Sequence, residues 1–394
     1  MNKQILLGLI ISLLVLSGCA QKQEVDQLGI VILTAVDLDE KSGKYEVIVQ
    51  MISPEKAGGG VKNQIWAASA TGDTVMRAAK NLRAKIPKKI VWFHSNLIII
   101  GEAVARQGLG KVIDFFARNQ EIRYNSLFVV TEGKAANVLD TNPRFEDSLA
   151  QEIEGIYRNY KSWAGTYALN LKQMLVRLAN KQYDEVTGRL TTYIPDVAPE
   201  GTYKQESLVK GTSKKTVAMS GMAIFKKGKL KGWFNRPETR GYLWITGEMK
   251  RGMLIGVRPM EKKKFSVDIL EENTKLTPIL SNGQIKFRLE IKAGVKISEQ
   301  IKGINLTKHK NIAKTEKLIA EQIKDDIKAA LEKAQYKYEA DIFGYGPAIY
   351  RKYPEKWQKI KKEWHQIFPT VETNIKVKVT IKRLGMITKP IMMD

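Results

Sequence analysis

A chain of 394 residues with 43% hydrophobic and 8% aromatic content carries enough apolar material for two or three cored domains, which excludes a mainly disordered protein. Its 65 Lys and Arg against 41 Asp and Glu give a net charge of +24, a balance that points either to an anionic partner or to a solvated lysine coat. The one cysteine, Cys19, excludes an intrachain disulfide framework.

The chain opens with Lys3 and a 12-residue apolar run, Ile5 to Leu16. That is the length of a signal-peptide core and well short of the ~20 residues that span a bilayer. Cys19 follows at once, behind the small residues Ser17 and Gly18. The tetrad Leu16-Ser17-Gly18-Cys19 resembles the lipobox of bacterial lipoproteins, which implies that residues 1–18 are removed and that Cys19 carries a diacylglyceryl group. Two acyl chains hold a protein stably at a membrane surface, so the remaining chain is expected on the outer face of the cytoplasmic membrane. Export argues against nucleic acid as the anionic partner.

In the mature chain, LGIVILTAVDL (28–38) and KYEVIVQMI (44–52) read as a β-hairpin, with Tyr45, Val47, Val49 and Met51 on one face. A helix is expected from Thr71 or Asp73 as N-cap, with Val75, Met76, Ala79 and Leu82 on its stripe and Pro87 at its end. NLIIIG (96–101) reads as a buried strand, 103–118 as one helix, SLFVVTEG (126–133) as a strand and KAANVLD as a short helix. The pattern from Phe145 to about Lys181 is helical, and the polar stretch 199–216 reads as a linker. Strands alternating with helices imply a sheet covered by helices.

Beyond the linker, 221–234 reads as strand, turn, strand around Lys227-Gly228, and 241–254 as further β structure. KFSVDILEEN (264–273) and QIKFRLEIKAGVKI (284–297) flank Asn282-Gly283, a hairpin signal. The longest helix is expected over 309–335, where Ile312, Ile319, Ile323, Ile327, Leu331 and Ala334 make one aliphatic stripe. WQKIKKEWHQIF reads as one short helix that places Trp357 and Trp364 on a common face. NIKVKVTIK (374–382) reads as a half-buried antiparallel strand, with Lys376, Lys378 and Lys382 on its outer face discouraging edge pairing.

Motifs for catalysis are sparse. His94, His309 and His365 form no pair at metal-ligand spacing, Gly58-Gly59-Gly60 lacks the Gly-Lys-Ser/Thr of a phosphate loop, and GxSxG is absent. No enzyme activity, cofactor or metal is expected. Residues 206–264 hold 15 Lys and Arg against four Glu, interleaved with Trp233, Phe234 and Trp244. That mixture suits contact with an anionic membrane surface, or equally a core of aromatics under a lysine coat.

Together the lipobox, the run HSNLIIIGEAVARQGLGKVIDFFARNQEIRYNSLFVVTEGKAANVL (94–139) and the ending ADIFGYGPAIYRKYPEKWQKIKKEWHQIFPTVETNIKVKVTIKRLG (340–385) resemble the Ger(x)C family of spore germination lipoproteins. The residues matching the family pattern in the last block are Asp341, Phe343, Gly344, Gly346, Pro354, Trp357 and Trp364, expected to be structural. Arg118, Glu121 and Arg123 are the corresponding candidates for a family surface, with Asn119 where the family usually has an acidic residue. The resemblance implies the C subunit of a nutrient germinant receptor, lipid-anchored on the spore inner membrane beside A and B subunits.

It also implies an α+β fold: an elongated, mixed α/β multidomain protein with mainly antiparallel sheets covered by helices. The expected divisions are a signal peptide (1–18), an N-terminal α/β domain (19–200), a basic β-rich section (201–257) and a C-terminal sheet with the long helix (258–394). The alternative is a lipid-anchored solute-binding protein of an envelope transport system, which requires two similar α/β lobes around a hinged cleft. The lipobox reading is checked by Cys19→Ala, which should abolish fatty-acid labelling and release or misprocess the protein; a variant still labelled and wholly membrane-bound would refute it.

Overall fold

The computed structural model describes residues 25–57, 60–180, 182–193, 215–250, 254–260, 263–301, 306 and 308–384. The leader with Cys19, Gly58-Gly59 and nearly all of the 199–216 linker lie outside the described residues. Strands β1 (Leu28–Leu38) and β2 (Tyr45–Ala57) form the expected hairpin, with Val36 opposite Val47. Tyr45, Val47, Val49 and Met51 are all buried, as alternation requires. β3 (Gly60–Gly72) extends the pairing, so Thr71 is still in a strand and the N-cap of α1 (Val75–Asn81) is Thr74, whose hydroxyl accepts from the Arg77 N–H at 3.1 Å.

β4 (Lys89–Val91) leads to β5 (Leu97–Ile100), buried on both faces. The single helix expected over 103–118 is two, α2 (Glu102–Gln107) and α3 (Gly110–Arg118). Gly108 separates them at φ 132°, a conformation closed to other residues, and the next amide, Leu109 N–H, turns away to donate to the Gly228 carbonyl. β6 (Leu127–Thr131) and α4 (Ala136–Leu139) stand where expected. The helical pattern after Phe145 resolves into α5 (Leu149–Arg158), a 3₁₀ turn, the two-residue strand β7 (Leu169–Asn170) and α6 (Leu171–Ala179). Asn170 and Gln173 close a capping box that starts α6 afresh.

β8 (Val186–Tyr193) is followed by β9 (Thr216–Lys226) and β10 (Lys229–Phe234), joined at Lys227-Gly228 as expected. Residues 241–254, read above as β structure, begin within helix α7 (Arg236–Thr246). Local chemistry decides this: Asn235 and Glu238 form a capping box, Pro237 fits the first turn, and Gly247 ends the helix at φ 70°. β11 (Leu254–Met260) then leads to the long hairpin of β12 (Lys263–Ser281) and β13 (Gln284–Ile301), turned on Asn282-Gly283 with both φ positive. α8 (His309–Glu332) passes into a π-helical turn at Lys333–Tyr338. The short helices α9 (Tyr345–Lys352), α10 (Pro354–Ile360) and α11 (Trp364–Ile367) precede β14 (Glu372–Arg383).

The strands make a ten-stranded sheet, with path β10-β9-β8-β6-β5-β1-β2-β3, and a four-stranded sheet, β11-β12-β13-β14. The chain is therefore α+β, and the two sheets do not repeat one another. β9 and β10, placed above in a separate basic section, are hydrogen-bonded into the first sheet through β8. The aromatics there are largely interior: Phe234 and Trp244 are fully buried, and of the three only Trp233 leaves part of its ring in solvent. β14 pairs parallel to β13, not antiparallel, because the chain returns through α8 to α11 before entering the sheet.

Ile98 and Ile100 face a core that continues without a break through Tyr242, Ile291 and Trp364, while Leu97 and Ile99 face a smaller one under α5. The expected stripe of α8 is buried from Ile319 to Ala334 against β14 and α7. Gly241 lets α7 touch α8: a Cβ there would strike the Asp326 carbonyl oxygen and lie 2.7 Å from the Ala330 Cβ. Beside it, Arg240 holds Asp326 through two hydrogen bonds of 2.8 and 3.0 Å. Gly241→Ala should thus cost about 1–3 kcal/mol of overpacking in chemical denaturation, although alanine is the better helix former; an unchanged midpoint would refute this contact.

Candidate functional site

Most of the family-type residues of the C-terminal block converge on one buried carboxylate. The chain leaves the π turn through Glu339, at φ 48°, and reaches Asp341 just before α9. An eight-residue helix presents unpaired N–H groups at its start, and Asp341 collects them. Its Oδ1 accepts from Gly344 N–H and Tyr345 N–H at 3.1 Å each; its Oδ2 accepts from Gly346 N–H at 2.7 Å and from the Trp364 indole Nε1–H at 3.0 Å. Burial pushes the Asp341 carboxyl up to about 6, against the pull of these donors toward the ionised form.

Asp184, ahead of β8, is the other half of the joint. The Asp341 N–H donates to Asp184 Oδ2 at 2.9 Å, and the Asp184 N–H donates to the Asp341 carbonyl at 2.7 Å. Asp184 Oδ1 takes the Lys227 N–H and the Glu185 carboxylate takes the Gly228 N–H, both at 3.0 Å. Adjacent carboxylates thereby grip the β9–β10 turn on one side and the start of α9 on the other. Burial raises both of their pKa values, and the charge of Asp184 adds to the rise at Glu185.

Around Asp341 the aromatic rings interlock. Trp364 lies edge-on to Trp357 at 5.6 Å and near Phe368 at 6.0 Å, while Tyr345 stacks on Phe287 of β13 at 4.1 Å. The two tryptophans sit on separate helices, α10 and α11, since a turn at 361–363 breaks the single helix expected there. Their rings still meet. Gly344 occupies the left-handed region at φ 80°. Gly346 serves proximity instead: a Cβ there would collide with the Gln182 carbonyl oxygen and come within 2.8 Å of the Trp357 ring. Phe343 is buried near Tyr345 and Tyr242, and Pro354 starts α10.

Arg118, Glu121 and Arg123 are not part of this cluster. Arg118 pairs with Asp114 one helical turn back, at 2.8 Å, and Glu121 accepts from the Trp92 N–H at 3.1 Å. Arg123 contributes its carbonyl to the Ser126 hydroxyl. Sequence reasoning missed Asp184 and Glu185; the adjacent acidic pair was visible, but its partners lie 43 and 157 positions away.

The N-terminal part, residues 21–192, matches the model of a spore germination protein N-terminal domain, and residues 220–385 match that of "Spore germination B3/ GerAC like, C-terminal". Among curated relatives, spore germination protein KC of Bacillus subtilis (strain 168) is 25% identical, with 97% of this chain and 96% of the relative covered. Spore germination protein B3 of the same organism is 24% identical with 94% of each covered, and spore germination protein A3 is 21% identical with 96% and 97% covered. The chain belongs to the Ger(x)C family. A solved structure titled as that of the GerBC protein shares its fold, with a TM-score of 0.57 at 19% identity over 89% of this chain and 96% of that one.

For this Ger(x)C chain, the Asp341 joint makes a pH-dependent prediction. Its folded-state pKa, about 6, exceeds the ordinary 3.8, so its stabilising contribution is full below the lower value and is lost as pH rises through the upper. The stability difference between wild type and Asp341→Asn should therefore narrow between pH 4 and 6 and stay level above. The variant should remain the weaker, by about 1–3 kcal/mol, because an amide nitrogen would confront N–H donors. Denaturation at several pH values checks this; equal stability throughout would remove the carboxylate from its central role.

Proposed function

We propose that this chain is a lipid-anchored, non-catalytic subunit of a nutrient germinant receptor, acting beside A- and B-type subunits on the outer face of the spore inner membrane. The observation that carries the reading is the near full-length correspondence with three proteins named for spore germination, spanning both sheets and the Asp341 joint. The site itself suits a structural part: the carboxylates of Asp341, Asp184 and Glu185 are engaged by N–H donors, which fits a joint better than a proton-transfer centre. No helix among the described residues is long and apolar enough to cross a membrane, so the Cys19 lipid supplies the attachment in this reading. Exposed Arg288, Lys292, Lys376 and Lys378, on the outer face of the second sheet, suit an anionic headgroup layer more directly than the buried aromatics of the basic middle.

Trp364→Ala tests the proposal. Loss of a buried ring and of a donor to Asp341 should cost about 3–5 kcal/mol and deplete the protein from spores. Those spores should fail to germinate on the nutrient of this receptor while responding to triggers that bypass receptors. Normal nutrient germination in the absence of the protein would overturn the subunit reading.

A further inference from the structure

Beside the Asp341 loop, where the two sheets meet, lies a cleft of about 330 Å³ whose lining includes Tyr167, Arg177, Tyr183, Tyr242, Glu248 and Arg351. It adjoins a second cleft of about 350 Å³, with Tyr183, Phe343, Gly344 and Arg351 common to both. Arg177 enters from α6. Its Nη2 donates to the hydroxyl of the fully buried Tyr242 at 2.9 Å, and its guanidinium lies 5.1 Å above the centre of the Tyr183 ring. Its Nη1 is buried with no hydrogen-bond partner among the described residues, and its attraction to the Glu185 carboxylate acts at longer range than an ion pair. Glu248, the acidic residue on the same wall, is turned to Lys250 at 3.5 Å.

A guanidinium with a buried, unused N–H donor and, among the described residues, no carboxylate within ion-pair distance is costly to keep, and a planar fork of N–H groups matches a carboxylate above other anions of similar size. Tyrosine and phenylalanine walls accept an apolar body, and the exposed Arg351 adds positive charge at the mouth. We infer that this cleft is a binding site for a small organic carboxylate, seated on Arg177 and enclosed by Tyr167, Tyr183 and Tyr242. A ligand there would touch Phe343 and Gly344, and through them the loop that closes on Asp341.

The test uses the full chain in detergent micelles, titrated calorimetrically with benzoate, with its neutral isostere benzamide and with inorganic phosphate. Benzoate should bind saturably at one site per chain and at least tenfold more tightly than benzamide or phosphate. Arg177→Gln should weaken benzoate at least tenfold in a chain that still folds without ligand, although it also gives up the hydrogen bond to Tyr242. Arg351→Gln should weaken it by a smaller factor. If Arg177→Gln fails to fold, the comparison of benzoate with benzamide on the wild-type chain decides. Absence of saturable benzoate binding, equal binding of benzamide or phosphate, or undiminished affinity in folded Arg177→Gln would each overturn the assignment.

Discussion

Placing an ionisable carboxylate in a fully enclosed site is unfavourable unless its oxygens are satisfied, and Asp341 is satisfied by four N–H donors from three successive backbone positions and one indole. Those donors are the ones that the start of α9 and the Trp364 ring need to dispose of, so each side answers the other's deficit. Asp184 then connects the same loop to the β9–β10 turn, and Glu185 secures that turn a second time. Segments separated by more than a hundred residues are locked at one point. The aromatic cluster depends on it, because Tyr345 and Trp364 are positioned by the groups that they give to Asp341.

A second set of contacts repeats this tie a short distance along the chain. In the π-helical turn that ends α8, the Tyr338 hydroxyl bonds both the N–H and the carbonyl of Trp233 in β10, at 3.1 and 3.0 Å. Gln335 donates to the carbonyls of Phe368 and Val371, fixing the approach to β14. A π turn adds a residue to the helix circumference and redirects side chains that a regular helix would place elsewhere. The first sheet, α8 and the second sheet therefore share polar as well as apolar contacts, with one core running through them.

Much of this was legible from pattern alone. A β-rich apolar run marked β1, alternation marked β2 and β14, Asn282-Gly283 marked the β12–β13 turn, and the stripe of Ile319, Ile323, Ile327 and Leu331 marked α8, because each signal is local and strong. β3 was not separated, since NQIWAASATG sets alanine and serine where β-branched residues usually announce a strand. The aromatic and β-branched residues of GYLWIT argued for a strand, yet flanking caps made it helix. The resemblance singled out Asp341, Trp357 and Trp364 as a group, but their mutual contact, and the partnership with Asp184, follow from tertiary closure that no spacing encodes.

The parallel pairing of β14 with β13 also constrains the order in which the molecule assembles. β13 cannot gain its last neighbour until some seventy residues of crossover, residues 302–371, have been made and packed. Long-range parallel closure is slow because loop entropy is lost before contacts repay it. Until then the β13 edge stays open, and its buried face, with Phe287, Leu289 and Ile291, lacks β14 and the helix α8 that packs on β14. On a chain synthesised amino end first, β14 is the last of the described strands to be made, and this sheet is sealed only then. A truncation removing the final dozen strand residues would forfeit the closing step of the whole C-terminal half, not merely an edge.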